Sequence, residues 1–131
     1  MLVNKEEKFS IINKTKNTLP FVSFAKIKDD ALGKDYSLSL VFIGKGTSKK
    51  LNSSFRGENK PTNILSFPLD KKNGEIFINL SLVKKQIKLF DRKFENLVAF
   101  LFIHGLMHLK GMEHGSRMER AESKLRKQFK V

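Results

Sequence analysis

His104-Gly105-Leu106-Met107-His108-Leu109-Lys110-Gly111-Met112-Glu113-His114 carries all three histidines of the chain. His104 and His108 stand four residues apart, so a helix through them places both imidazoles on one face, a turn apart, as two ligands of one metal ion require. Upstream, Leu97, Val98, Leu101, Phe102, Leu106 and Leu109 recur at steps of three and four, which predicts a mostly buried helix over residues 94–109. Gly111 follows the last apolar position. There a glycine can adopt a left-handed conformation, end the helix and turn the chain back, so that His114 reaches the same ion.

The resulting pattern, H-x-x-x-H-x-x-G-x-x-H, supplies three neutral nitrogen ligands and leaves a fourth position for water. That is the arrangement of catalytic rather than structural zinc. One zinc ion per chain on His104, His108 and His114 is the expectation, because the sequence has no cysteine to compete for a borderline metal. Zinc peptidases of the H-E-x-x-H type keep a general-base glutamate directly after the first histidine. Gly105 occupies that place here, which argues against peptide hydrolysis.

A length of 131 residues suits one domain, 1–131, with a core that needs no cross-links. The absence of cysteine fits a reducing compartment. The longest apolar run, Leu97 to Ile103, is far short of the roughly 20 residues that span a membrane, and no signal-peptide core is read at the N-terminus. A cytoplasmic protein with no membrane partner is expected. Twenty-six Lys and Arg against 13 Asp and Glu give a formal charge of +13. Such an excess favours polyanions, and nucleic acid leads because no basic amphipathic segment carries the exposed aromatics of a membrane anchor.

Along the chain, residues 8–14 read as a short strand. Thr18 and Pro20 look like a cap and first turn, so a helix is expected over 19–32, ended by Gly33. From Tyr36 an alternating strand becomes apolar on both faces through Val41 and Ile43. Gly44 to Lys50 fails the phosphate-loop spacing and reads as a turn, with Thr47 or Ser48 capping a short helix that carries Leu51 and Phe55 inward. Arg56 then lies exposed at a helix end beside Gly57, either as a phosphate ligand or as an ordinary cation at a C-terminus. Residues 61–68 form a strand with proline at each end, which suggests an edge position; Ser66 faces either the site or solvent. A turn at 71–74 joins it to a strand through Glu75–Ile78, completing a hairpin. Asn79 or Ser81 caps the next helix, with Leu82, Val83, Ile87 and Phe90 inward and Lys84, Lys85 and Lys88 outward. Ser116 caps a final helix buried through Met118, Ala121, Leu125 and Phe129. Glu119 and Glu122 are read there as exposed partners of Arg117, Arg120, Lys124, Arg126, Lys127 and Lys130, which extend the basic surface away from the metal. The element order makes an α+β fold, a small mixed β-sheet packed on helices with the metal-binding helix central.

The histidine block, together with Leu51-Asn52, Arg56 and Pro61-Thr62-Asn63-Ile64-Leu65-Ser66-Phe67-Pro68, resembles the YbeY family of bacterial metal-dependent endoribonucleases and ribosomal RNA maturation factors. The likeness runs over about residues 36–125. It implies a single-strand-specific, zinc-dependent endoribonuclease acting in small-subunit (16S) rRNA maturation and ribosome quality control. The implied partners are rRNA and the ribosomal small subunit, with no DNA expected. The implied site residues are the three histidines, with Arg56 gripping the scissile phosphate and Glu113 serving as general base or as support for a ligand. Glu113 replaces the aspartate usual in the family and Met112 the usual tyrosine. The alternatives are a non-catalytic, zinc-stabilised ribosome assembly factor and a metal-dependent hydrolase of another substrate.

Overall fold

The computed structural model of the protein describes residues 8–131; the expectation about a signal peptide falls largely on residues 1–7, outside the described residues. The elements are β1 (Phe9–Asn13), α1 (Phe24–Leu32), β2 (Ser37–Ile43), α2 (Lys45–Arg56), β3 (Ile64–Asp70), β4 (Asn73–Asn79), α3 (Leu80–Gln86), α4 (Phe94–Leu109) and α5 (Ser116–Phe129). The fold is α+β. Four strands lie in the order β1-β2-β4-β3, with β1 parallel to β2, β2 parallel to β4, and β3 antiparallel to β4. The sheet is therefore mixed, and β3 is an edge. That is where Pro68, which has no N–H to offer a ladder, is tolerated; the strand runs past it to Asp70 through an irregularity in the register.

α4 is the axis of the core. From Leu97 to Leu109 every residue is buried except Phe100, His104 and His108, which form a single stripe at steps of four. The sheet covers α4 through Leu38, Leu40, Phe42, Ile76 and Ile78, and α1, α3 and α5 cover the rest. What is left open is thus a narrow strip of helix, two-thirds of it histidine. Val41, Ile43 and Leu65 are buried on the reverse face of the sheet. β2 reads as apolar on both faces because it is central and covered on both.

Three helices differ from expectation, α5 in that its N-cap is Gly115 rather than Ser116. α1 begins at Phe24 rather than residue 19: the Phe21 N–H bonds the Glu95 carboxylate, Phe21 is almost wholly exposed, and the first helical bond runs from Ile27 N to Ser23 O. Pro20 is buried as part of the approach, not as a first turn. α2 turns Ser48 and Asn52 inward, not Leu51 and Phe55, and its N-cap is Gly44. Ser48 Oγ donates to Thr62 O (2.7 Å) and accepts from Thr62 N (2.9 Å), while Asn52 Nδ2 donates to Lys60 O (2.8 Å). Polar side chains are buried here because they satisfy the backbone of the segment leading into β3. The helix thereby ties that segment, and hence the edge strand, to the rest of the sheet.

Candidate metal centre

α4 places His104 and His108 on its uncovered stripe. After Leu109 the chain reverses as expected: Gly111 has φ +91°, Gly111 N bonds His108 O (2.9 Å) and Met112 N bonds Met107 O (3.0 Å). His114 follows in an exposed loop and comes back over α4. One nitrogen from each of the three rings lies within 4.8 Å of the others. His104 Nε2 and His108 Nε2 are 3.1 Å apart. Nitrogens bound tetrahedrally to zinc at 2.0–2.1 Å stand about 3.4 Å from one another, so the three-nitrogen donor set suits one metal ion such as zinc, with the rings drawing together from separations of up to 4.8 Å.

Glu122 fixes the first ligand. Its Oε2 lies 2.9 Å from His104 Nδ1. A buried carboxylate accepts, so Nδ1 carries the proton and Nε2 is left as the lone pair facing the other rings. The Glu122 side chain is only 7% exposed, and Arg126 Nη1 at 3.4 Å from Oε1 balances its charge. Both residues correct the sequence reading, which placed Glu122 in exposed surface pairs and Arg126 on a surface leading away from the metal. The signal was present: position 122 is four after Met118 and three before Leu125, on the apolar stripe of α5. A carboxylate on a buried face implies a partner there. Glu122→Gln keeps the shape but weakens the hold on the Nδ1 proton. It is expected to lower zinc affinity about tenfold, and Glu122→Ala by up to about 100-fold, as competition with a chromophoric chelator would read. Unchanged affinity in both would remove Glu122 from the site.

The pKa of His108 is lowered, first by burial and then by the neighbouring His104 and His114, with a hydrogen bond to the Met112 backbone and the Glu122 charge opposing. The neutral, metal-binding form is therefore kept to lower pH than in a free imidazole. For a base with a depressed folded pKa, stability is full above the unfolded value and is lost as pH falls through that value towards the folded one. In the metal-free protein that window begins near the ordinary imidazole pKa of about 6.5. Because protons compete for all three ligands, zinc affinity is expected to be nearly constant above about pH 7.5 and to fall steadily below about pH 6.5. Titration calorimetry across that range checks it; affinity independent of pH would contradict ligation by imidazole.

The histidines open into a cavity of about 920 Å³ whose wall also includes Arg56, Thr62, Asn63, Ser66, Glu119 and Arg126. Arg56 ends α2 immediately before Gly57 (φ +69°), half exposed, with its Nε 3.8 Å from Glu58 Oε2. The fold thus brings Arg56 and the three histidines, some fifty residues apart in sequence, to one cavity. Glu113 is exposed on the loop beside His114 and is not part of that wall. Gly105 faces β3: a Cβ there would lie 2.8 Å from Ser66 Oγ, 2.9 Å from Ile64 Cδ1 and 3.2 Å from Ile76 Cδ1. The edge strand occupies the space that a peptidase glutamate needs.

The profile of the family described as endoribonuclease YbeY matches residues 2–130. The chain belongs to the YbeY family. Among curated relatives named endoribonuclease YbeY, that of Pelagibacter ubique is 36% identical over 91 residues, covering 63% of this chain and 60% of the relative. That of Thermotoga maritima is 31% identical, covering 73% and 65%, and that of Persephonella marina is 30% identical, covering 100% and 86%. The matched stretch thus spans less than two-thirds of the length of the first two. The solution structure of a Thermotoga maritima protein shares the α+β fold seen here, with a TM-score of 0.64 at 24% identity over 89% of this chain and 85% of that one. Among the described residues, no helix is long and apolar enough to cross a membrane.

Proposed function

We propose that the chain is a zinc-dependent endoribonuclease that hydrolyses phosphodiester bonds in single-stranded RNA. The observation that carries this reading is the convergence of three histidine nitrogens and Arg56 on one open cavity of a strongly basic protein. His104, His108 and His114 would hold a zinc ion, which when bound would supply Lewis acidity and lower the pKa of a water towards neutrality. Glu122 holds His104 in the ligating tautomer, and Arg126 pairs with the other Glu122 oxygen. Arg56 presents a planar fork of donors that matches two oxygens of a phosphate, which positions the scissile group against the histidines. The lysines and arginines elsewhere supply the salt-dependent part of affinity.

Glu122 is already engaged on both oxygens, so proton acceptance falls to an exposed carboxylate. Glu113, flanking His114, is proposed for it, with Glu119 on the cavity wall as the competitor. The substrate is proposed to be ribosomal RNA of the small subunit in the cytoplasm; the relatives' name, endoribonuclease, supports RNA as the substrate class. Arg56→Ala is expected to leave the melting temperature within about 1–2 °C, since the side chain is half exposed and its ion pair with Glu58 is long. Cleavage of a single-stranded precursor rRNA fragment should fall by roughly ten- to 100-fold with the loss of a charged bidentate contact. In the same assay Glu113→Gln slows turnover at saturating RNA if Glu113 takes the proton, and leaves it at the wild-type value if Glu119 does. Full cleavage by Arg56→Ala would return Arg56 to the role of a helix-end cation.

A further inference from the structure

Phe55 lies on the last turn of α2, beside Arg56, with 65% of its surface exposed. Its ring packs at a tilt against a second aromatic ring. The Phe67 centroid is 4.9 Å away, and Phe67 in turn meets Phe77 at 5.7 Å. These strand residues have a fixed side: Ile64, Ser66 and Ile76 face α4 at Gly105, so period-two alternation puts Phe67 and Phe77 on the reverse face of the sheet. The cavity wall nonetheless includes both Phe55 and Phe67 along with the histidines. It therefore wraps around the edge strand β3, from the metal ligands on one face to an aromatic shelf on the other, with Arg56 between chain neighbours of both.

An exposed phenyl ring on a stiff aromatic support contributes little to folding. Next to a guanidinium, in a chain of charge +13, it matches a ligand that joins an aromatic face to a phosphate. A nucleotide has that combination. We propose that Phe55, backed by Phe67, is the stacking platform for one unpaired nucleobase of the RNA strand whose adjacent phosphate Arg56 holds. The proposal rests on the RNA-hydrolase reading and adds the element that selects single strands. A base in a duplex already has both faces covered, whereas an unstacked base can lie on the ring, and every base offers a π-face, so the choice is tolerant of sequence.

The sequence has no tryptophan, so Phe55→Trp places a unique fluorophore on the shelf. With zinc-loaded protein, single-stranded oligoribonucleotides should quench it, and one abasic position scanned along the oligonucleotide should remove the quench at a single register. Phe55→Ala should raise KM for single-stranded RNA about tenfold and narrow the preference over duplex, with the melting temperature unchanged; Phe55→Tyr should restore both. An unaltered KM and strand preference in Phe55→Ala, with cleavage intact, would overturn the platform while leaving the hydrolase reading in place, and would point to an apolar protein partner for the shelf. A loss of stability with full activity per folded molecule would make Phe55 a fold residue and overturn it equally. If loaded wild-type protein neither binds nor cleaves RNA, the hydrolase reading fails and the platform with it.

Discussion

Replacing His114 with alanine is expected to lower zinc affinity by on the order of 100-fold or more and to abolish RNA hydrolysis, while most salt-sensitive RNA binding survives. Losing a direct ligand should exceed the ten- to 100-fold effect of losing a group that merely orients one. The fold should tolerate the change. His114 is exposed in the loop between Gly111 and α5, so the melting temperature of the metal-free variant should equal that of metal-free wild type. RNA affinity comes chiefly from Lys and Arg contacts to phosphates and should keep its steep decline between low and moderate salt. A structural ion gives a different pattern: binding and hydrolysis fall together as the loop after Gly111 loosens. That second pattern would favour a zinc-stabilised assembly factor over an enzyme.

Gly105→Glu, which recreates the peptidase motif in sequence, is expected to destabilise the protein by roughly 2–4 kcal/mol and to confer no peptidase activity. Leaving glycine improves helix propensity by up to about 1 kcal/mol. Against that gain stand three side-chain atoms within 3.2 Å of the new Cβ, where overpacking costs about 1–3 kcal/mol. A carboxylate pushed between α4 and β3 adds desolvation. Gly105→Ala should be milder, since Ser66 Oγ and Ile64 Cδ1 are side-chain ends that can give way. Denaturant midpoints at constant m-value would measure the series. A glutamate variant as stable as wild type would mean that β3 does not hold this close approach.

The central helix was legible because its signal was redundant: a long apolar period, a glycine stop and a histidine pair on one turn all agreed on residues 94–109. The edge position of β3 was legible from Pro68, and its hairpin with β4 from the turn residues. Reading failed where polar side chains do structural work. Ser48 and Asn52 face inward on α2 because they satisfy the backbone around Lys60 and Thr62, a long-range need that no local period displays. The apolar template instead turned Phe55 inward, and so hid the exposed ring. Glu122 looked like a surface charge because its neighbours along α5, Glu119, Lys124 and Arg126, are charged; only its place on the stripe between Met118 and Leu125 marked it as buried. The start of α1 depended on the Glu95 carboxylate reaching Phe21, a contact between distant parts of the chain.

The most direct test is a titration of zinc into chelator-stripped protein, following cleavage of a single-stranded precursor rRNA fragment, with His114→Ala treated identically to expose any contaminating nuclease. The expected result is hydrolysis that rises linearly with zinc and levels off at one equivalent per chain, with duplex RNA cut far more slowly and the variant inactive. Single-stranded RNA left intact by fully loaded wild-type protein, or cut equally by stripped protein and by the variant, would contradict a catalytic zinc ion on His104, His108 and His114.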